Sequence, residues 1–89
     1  MGTLYGFAYR ERALSFVRTL PSKLRRQIIE KITDLAADPH PSGHKVVKGM
    51  KDGEETVYRI RSGNYRILYV IRGVVIIILD IDHRKDVYR

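Results

Sequence analysis

Apolar and polar positions divide this chain into seven segments. In residues 4–9, Tyr5, Phe7 and Tyr9 fall on every second position, which predicts a first strand. Ala13, Phe16, Val17 and Leu20 then recur at helical spacing and predict a short amphipathic helix. Pro21 stands where a second helix would begin, a position that tolerates its missing N–H. Beyond it Leu24, Ile28, Ile32 and Leu35 form an apolar stripe widened by Ile29 and Ala36, with Lys23, Arg25, Arg26, Glu30 and Lys31 on the wet face. Asp38-Pro39-His40-Pro41-Ser42-Gly43 ends that helix and makes a loop. From there the pattern is all strand: residues 45–50, 56–62, 65–71 and 74–82, separated by Lys51-Asp52-Gly53, Gly63-Asn64 and Arg72-Gly73. The continuous apolar run of the last strand predicts a central position, buried on both faces. The expected order is β-α-α-β-β-β-β. This is an α+β fold in which a twisted antiparallel sheet carries two N-terminal helices on one face, as a single domain over residues 1–89.

The turn at Gly63-Asn64 fixes a register. Gly at the first central position of a two-residue loop favours a type II′ turn. Closing it between Ser62 and Tyr65 sets Arg61 opposite Arg66 and Arg59 opposite Leu68, with Ile60 facing Ile67 and Tyr58 facing Tyr69 on the other side. Like charges placed opposite each other destabilise a sheet, so an arginine face there points to an anionic ligand. Ile60, Ile67, Ile76 and Ile78 are expected to meet Phe16, Ile28 and Ile32, leaving Arg59, Arg61 and Arg66 in a concavity on the far side. If Arg72-Gly73 closes the next turn, Arg66 faces Leu79, and Ile81 and His83 come to the arginine face.

Composition narrows the class. Seventeen Lys and Arg against ten Asp and Glu give 89 residues a formal charge of +7, which suits nucleic acid, an acidic protein or an anionic surface. The absence of cysteine fits a reducing compartment. The longest apolar run, residues 74–79, is far too short to span a bilayer, and no charged-then-apolar leader opens the chain. A cytoplasmic protein with no membrane partner is expected.

The motifs resemble a family. The order of elements is similar to that of the RelE/ParE superfamily of bacterial and archaeal toxins. So are Leu20-Pro21 leading into a basic helix, Asp38-Pro39, Lys48-Gly49, the whole run from Tyr58 to Tyr69, and His83-Arg84-Lys85-Asp86-Val87-Tyr88. Resemblance to the RelE branch implies a toxin that cuts messenger RNA in the ribosomal decoding site, by attack of a ribose 2′-hydroxyl on the adjacent phosphate. It also implies an acidic antitoxin as partner. The family's site positions fall on Arg59 and Arg61 before the turn, Arg66 after it, Arg84 past the last strand and Tyr88 near the end. The best-known members carry lysine where Arg59 and Arg61 stand. Arginine cannot release a proton as lysine can, so these two are phosphate ligands rather than bases. His83 has the chemistry for proton transfer near neutral pH.

Each residue has a plainer alternative. Arg61 and Arg66 suit stabilisation of charge developing on a phosphate, the plainer alternative being a basic strand face that only docks an acidic partner. His83 is also read as a solvated strand end, Arg84 as one cation of a charged tail, and Tyr88 either as a base-stacking ring or as packing for the tail. Lys45, Lys48 and Lys51 suit RNA phosphates, or simply a soluble edge. His40, His44 and His83 with Asp38 match no recognised ligand spacing, so neither a metal nor any other cofactor is expected. The competing reading on the same fold is a ParE-like inhibitor that binds DNA gyrase without nuclease chemistry. A nontoxic RNA-binding module is the third.

Overall fold

The computed structural model describes residues 4–83. Its order is β1 (Gly6–Tyr9), α1 (Glu11–Arg18), α2 (Ser22–Asp34), β2 (Lys45–Asp52), β3 (Glu55–Ser62), β4 (Tyr65–Arg72) and β5 (Val75–His83). The predicted succession is therefore present, and both helices pack on one face of a five-stranded sheet ordered β1-β5-β4-β3-β2. β2 to β5 form an antiparallel meander, whereas β1 runs parallel to β5, with Gly6 beside Val75 and Tyr9 beside Ile78. That placement puts β5 inside the sheet, as its apolar run requires. β1 is shorter at its start than the alternation predicts because the Tyr5 N–H donates to Ala36 O at the end of α2 (3.0 Å) instead of to a strand.

The helices begin and end for local reasons. Glu11 lies in the first turn of α1 and Arg18 in its last, each complementing the helix dipole. Thr19 closes α1 by donating its hydroxyl to Phe16 O (2.7 Å). Pro21 is the N-cap of α2, and its carbonyl accepts from Arg25 N (2.9 Å). Ala13 and Val17 of α1 and Ile28 and Ile32 of α2 meet Ile60, Ile67, Tyr69, Ile76, Ile78 and Ile81 in one core, with Phe16 packed against it.

Tyr69 is the fully buried core residue with a polar tip among the described residues. Its hydroxyl donates to Pro39 O (2.7 Å) and so pins the loop after α2 to the sheet. Burial, helped by Tyr58 and Asp38, pushes this phenol above its usual pKa. The folded state therefore holds the proton longer than the unfolded chain does. Stability contributed by the neutral phenol is complete below about pH 10 and declines as pH rises beyond it. Tyr69→Phe is expected to cost about 1 kcal/mol at pH 7 and to flatten the alkaline decline, as measured by urea unfolding at pH 7 and above pH 10.

The two edges of the sheet are tied together. Arg10, just past β1, donates to both carboxylate oxygens of Asp52 at the end of β2 (3.1 and 2.8 Å). Arg72 donates to Asp52 Oδ2 (3.0 Å) and Glu55 Oε1 (2.8 Å). The hydrogen bond from Arg10 is the main reason the Asp52 carboxyl is held below its usual pKa. In a flat sheet, edges four strand spacings apart would be roughly 19 Å from each other, beyond the reach of one arginine. The sheet is therefore strongly coiled, helped by an irregularity in β2 between Val46 and Lys51.

Candidate functional site

The hairpin register is the predicted one: Arg61 pairs with Arg66, Arg59 with Leu68, Ile60 with Ile67 and Tyr58 with Tyr69. Gly63 has φ +60° and, among the described residues, no residue other than glycine has positive φ, the signature of the expected type II′ turn. Alternation along β3 and β4 then puts Arg59, Arg61 and Arg66 on the face away from the helices.

The next register differs from expectation. The loop between β4 and β5 is Gly73-Val74, with Arg72 opposite Val75, and Leu79 is bulged out of the ladder between the pairs Tyr69–Ile78 and Leu68–Asp80. Arg66 therefore faces Asp82 rather than Leu79. Ile81 is buried in the core, and His83 pairs with Tyr65 on the helix side, its ring edge-on to that tyrosine at 5.1 Å. The expectation that Ile81 and His83 reach the arginine face is thus corrected. A single bulge exchanges the faces of every residue after it. Asp80 and Asp82 take those places, neither of which the sequence reading had singled out.

The three arginines do not act as one cluster. Arg66 is only 15% exposed and lies 3.9 Å from an Asp82 oxygen. It opens into a cleft of about 480 Å³ with Lys45, Val46, Lys48, Met50, Arg59 and Leu68, beneath the irregular part of β2. Arg61 is exposed at the sheet edge and lines a second cleft of about 380 Å³ with Lys31, Ser42, Gly43, Lys45 and Arg59. Arg59 and Lys45 line both clefts and are paired across β3 and β2. Lys48 lies in the first cleft. Lys51 pairs with Thr56, whose side of β3 faces the helices, so it stands apart from this group. Lys31, assigned above only to the wet face of a helix, is an unforeseen member. Arg84 and Tyr88 lie outside the described residues.

Charge pairing sharpens the picture. Among the described residues, acidic side chains are paired with Arg10, Arg12, Arg18, Arg66 and Arg72, and no ion pair involves Lys31, Lys45, Arg59 or Arg61. Four cations thus converge on one cleft, none of them in an ion pair among the described residues. Such a charge arrangement suits an anion.

Known proteins share this fold. Residues 7–88 match the family described as the ParE toxin of the type II toxin–antitoxin system parDE. A Methanocaldococcus jannaschii protein that carries the name toxin RelE1 is 32% identical over 81 residues, covering 89% of each chain. Among solved structures, the RelE–RelB complex of Pyrococcus horikoshii superposes with TM-score 0.74 at 27% identity, over 92% of this chain and 97% of that one. The intact Escherichia coli RelBE complex gives 0.72 at 30% identity, over 89% and 95%. The chain belongs to the RelE/ParE superfamily and is a toxin of a type II toxin–antitoxin system. Within that superfamily it is RelE-like.

Among the described residues no helix is long and apolar enough to cross a membrane.

Proposed function

We propose that this toxin is a ribosome-dependent mRNA endonuclease that works without a metal ion and is held inactive by an acidic antitoxin. The observation that carries this is the pair of clefts meeting at Arg59 and Lys45, where cations lack acidic partners on one side and border apolar surface on the other. Arg59 and Arg66 flank the apolar side chains of Val46, Met50 and Leu68, a combination that suits a phosphate beside a nucleobase. In the reaction the ribose 2′-oxygen forms a bond to phosphorus as the bond to the 5′-oxygen breaks. The products are a 2′,3′-cyclic phosphate and a 5′-hydroxyl, the 2′ proton being lost and the leaving oxygen gaining one. Guanidiniums fixed at the developing negative charge lower that barrier. Arg59, Arg61 and Arg66 fill this role, with Arg84 and Tyr88 added by the family pattern. His83 has no part in the assignment, because the fold turns it to the helix side. Antitoxin complexes among the solved RelE structures support an antitoxin partner here. An acidic segment laid over the same clefts would compete directly with RNA, in the cytoplasm where both are found.

Mapping transcript ends on ribosomes after induction without antitoxin tests this. New 5′-hydroxyl ends inside reading frames are expected, and naked RNA should stay intact. The ParE family match keeps a second reading in play, a gyrase inhibitor on the same fold. Intact transcripts together with DNA-damage signalling would replace the first reading by that one.

A further inference from the structure

The loop after α2 carries a pair of imidazoles that the toxin reading does not use. His44 Nδ1 lies 2.9 Å from Pro41 O. A carbonyl only accepts, so Nδ1 carries the hydrogen and Nε2 of the neutral ring presents a lone pair. That Nε2 lies 3.4 Å from His40 Nδ1. Two nitrogens each about 2.0–2.1 Å from a tetrahedral ion lie roughly 3.3–3.4 Å apart. With no ion between them, the two nitrogens meet as a long hydrogen bond, His40 Nδ1–H donating to His44 Nε2. The same separation lets both nitrogens ligate one ion once that proton moves to the far nitrogen of His40.

The rings are also held in place. Both lie against Tyr58, with centroid distances of 5.2 Å for His40 and 5.5 Å for His44. The His40 N–H donates to Asp38 Oδ1 (3.0 Å), the His44 N–H to Pro41 O (3.0 Å), and Tyr69 anchors Pro39 O from below (2.7 Å). A carbonyl on the far nitrogen of an imidazole is the usual device that orients a metal-binding histidine.

We propose that His40 and His44 form a binding site for a late first-row divalent cation such as zinc or nickel, the ions that imidazole nitrogen suits. Among the described residues no group of three or more His, Cys, Asp or Glu side chains forms a metal site, so the remaining coordination positions belong to water or to an incoming ligand. Ser42 and Gly43, between the two histidines, line the cationic cleft with Arg59 and Arg61. A bound ion therefore stiffens one wall of that cleft. Linear spacing did not reveal the pair, because a proline-rich loop, not a helix or strand, brings the two rings together.

Zinc chloride titrated calorimetrically into the full chain at pH 7.5 tests the site. One saturable equivalent is expected for wild type and for His83→Ala. His40→Ala and His44→Ala should each weaken it at least about tenfold, the effect expected for loss of a group that holds the metal. His40→Gln serves as a second variant if His40→Ala unfolds. Zinc should raise the melting temperature of wild type but not of the His40 variants. Absence of saturable binding, or binding that disappears with His83 but not with His40, would overturn the assignment. None of these readouts depends on nuclease activity, so they separate this site from the toxin reaction.

Discussion

Replacing Arg66 with alanine is expected to lower ribosome-dependent cleavage by about 10²–10³-fold, the usual effect of removing one fixed donor aimed at transition-state charge. Of the three arginines on the β3–β4 hairpin, Arg66 is the best held. It sits inside β4, its side chain is 15% exposed, and Asp82 of the neighbouring strand lies 3.9 Å away. A guanidinium held in this way keeps its aim with little reorganisation. Arg66→Lys should retain part of the activity, because the charge remains while the planar fork is lost. Growth after induction and single-turnover cleavage on programmed ribosomes provide the measurement. Equal toxicity of Arg66→Ala and wild type would remove Arg66 from the site. Because the alanine variant also leaves Asp82 without that neighbour, its melting temperature should be measured alongside its activity.

The neighbouring residue supplies the contrasting experiment. Ile67 points to the opposite face, is fully buried, and meets the helices in the core. Ile67→Ala removes buried methyl and methylene groups and leaves a cavity, a change that costs about 2–5 kcal/mol. For a domain of this size the melting temperature should fall by roughly 10–30 °C. A drop of only a few degrees would mean that β4 does not pack against the helices as described. At temperatures where the variant remains folded, its cleavage rate should stay near that of wild type. Adjacent substitutions thus separate loss of chemistry from loss of fold.

The parts that were legible in the sequence rest on local rules. The Gly63-Asn64 turn dictated the β3–β4 register, and alternation then sorted arginine from isoleucine. The same rule, applied to the next loop, would have placed Gly73 first in a Gly73-Val74 turn, as Gly63 is placed in its own. Reading Arg72-Gly73 instead shifted the register by two residues, which leaves the faces unchanged. The bulge at Leu79 was the consequential miss, because it exchanges faces and carries His83 to the helix side. Nothing in an unbroken run of β-branched and aliphatic residues marks where the ladder skips. The parallel pairing of β1 was also hidden, since it depends on which edge of the sheet the helices leave open. Lys31 joined the cleft through tertiary placement of α2, and its neighbours in the sequence describe only a wet helix face.

The bond between Arg10 and Asp52, and the pairing of β1 with β5 alone, have a consequence for how this toxin comes into being. Synthesis runs from the N-terminus, so β1 emerges long before β5, the strand it pairs with. Arg66 likewise precedes Asp82, the neighbour beside which it is held. A nascent chain therefore carries an unfinished sheet and an unformed candidate site until β5 clears the exit tunnel. On the proposed reading, in which translating ribosomes are the target, the toxin is thereby kept harmless to the ribosome that is making it.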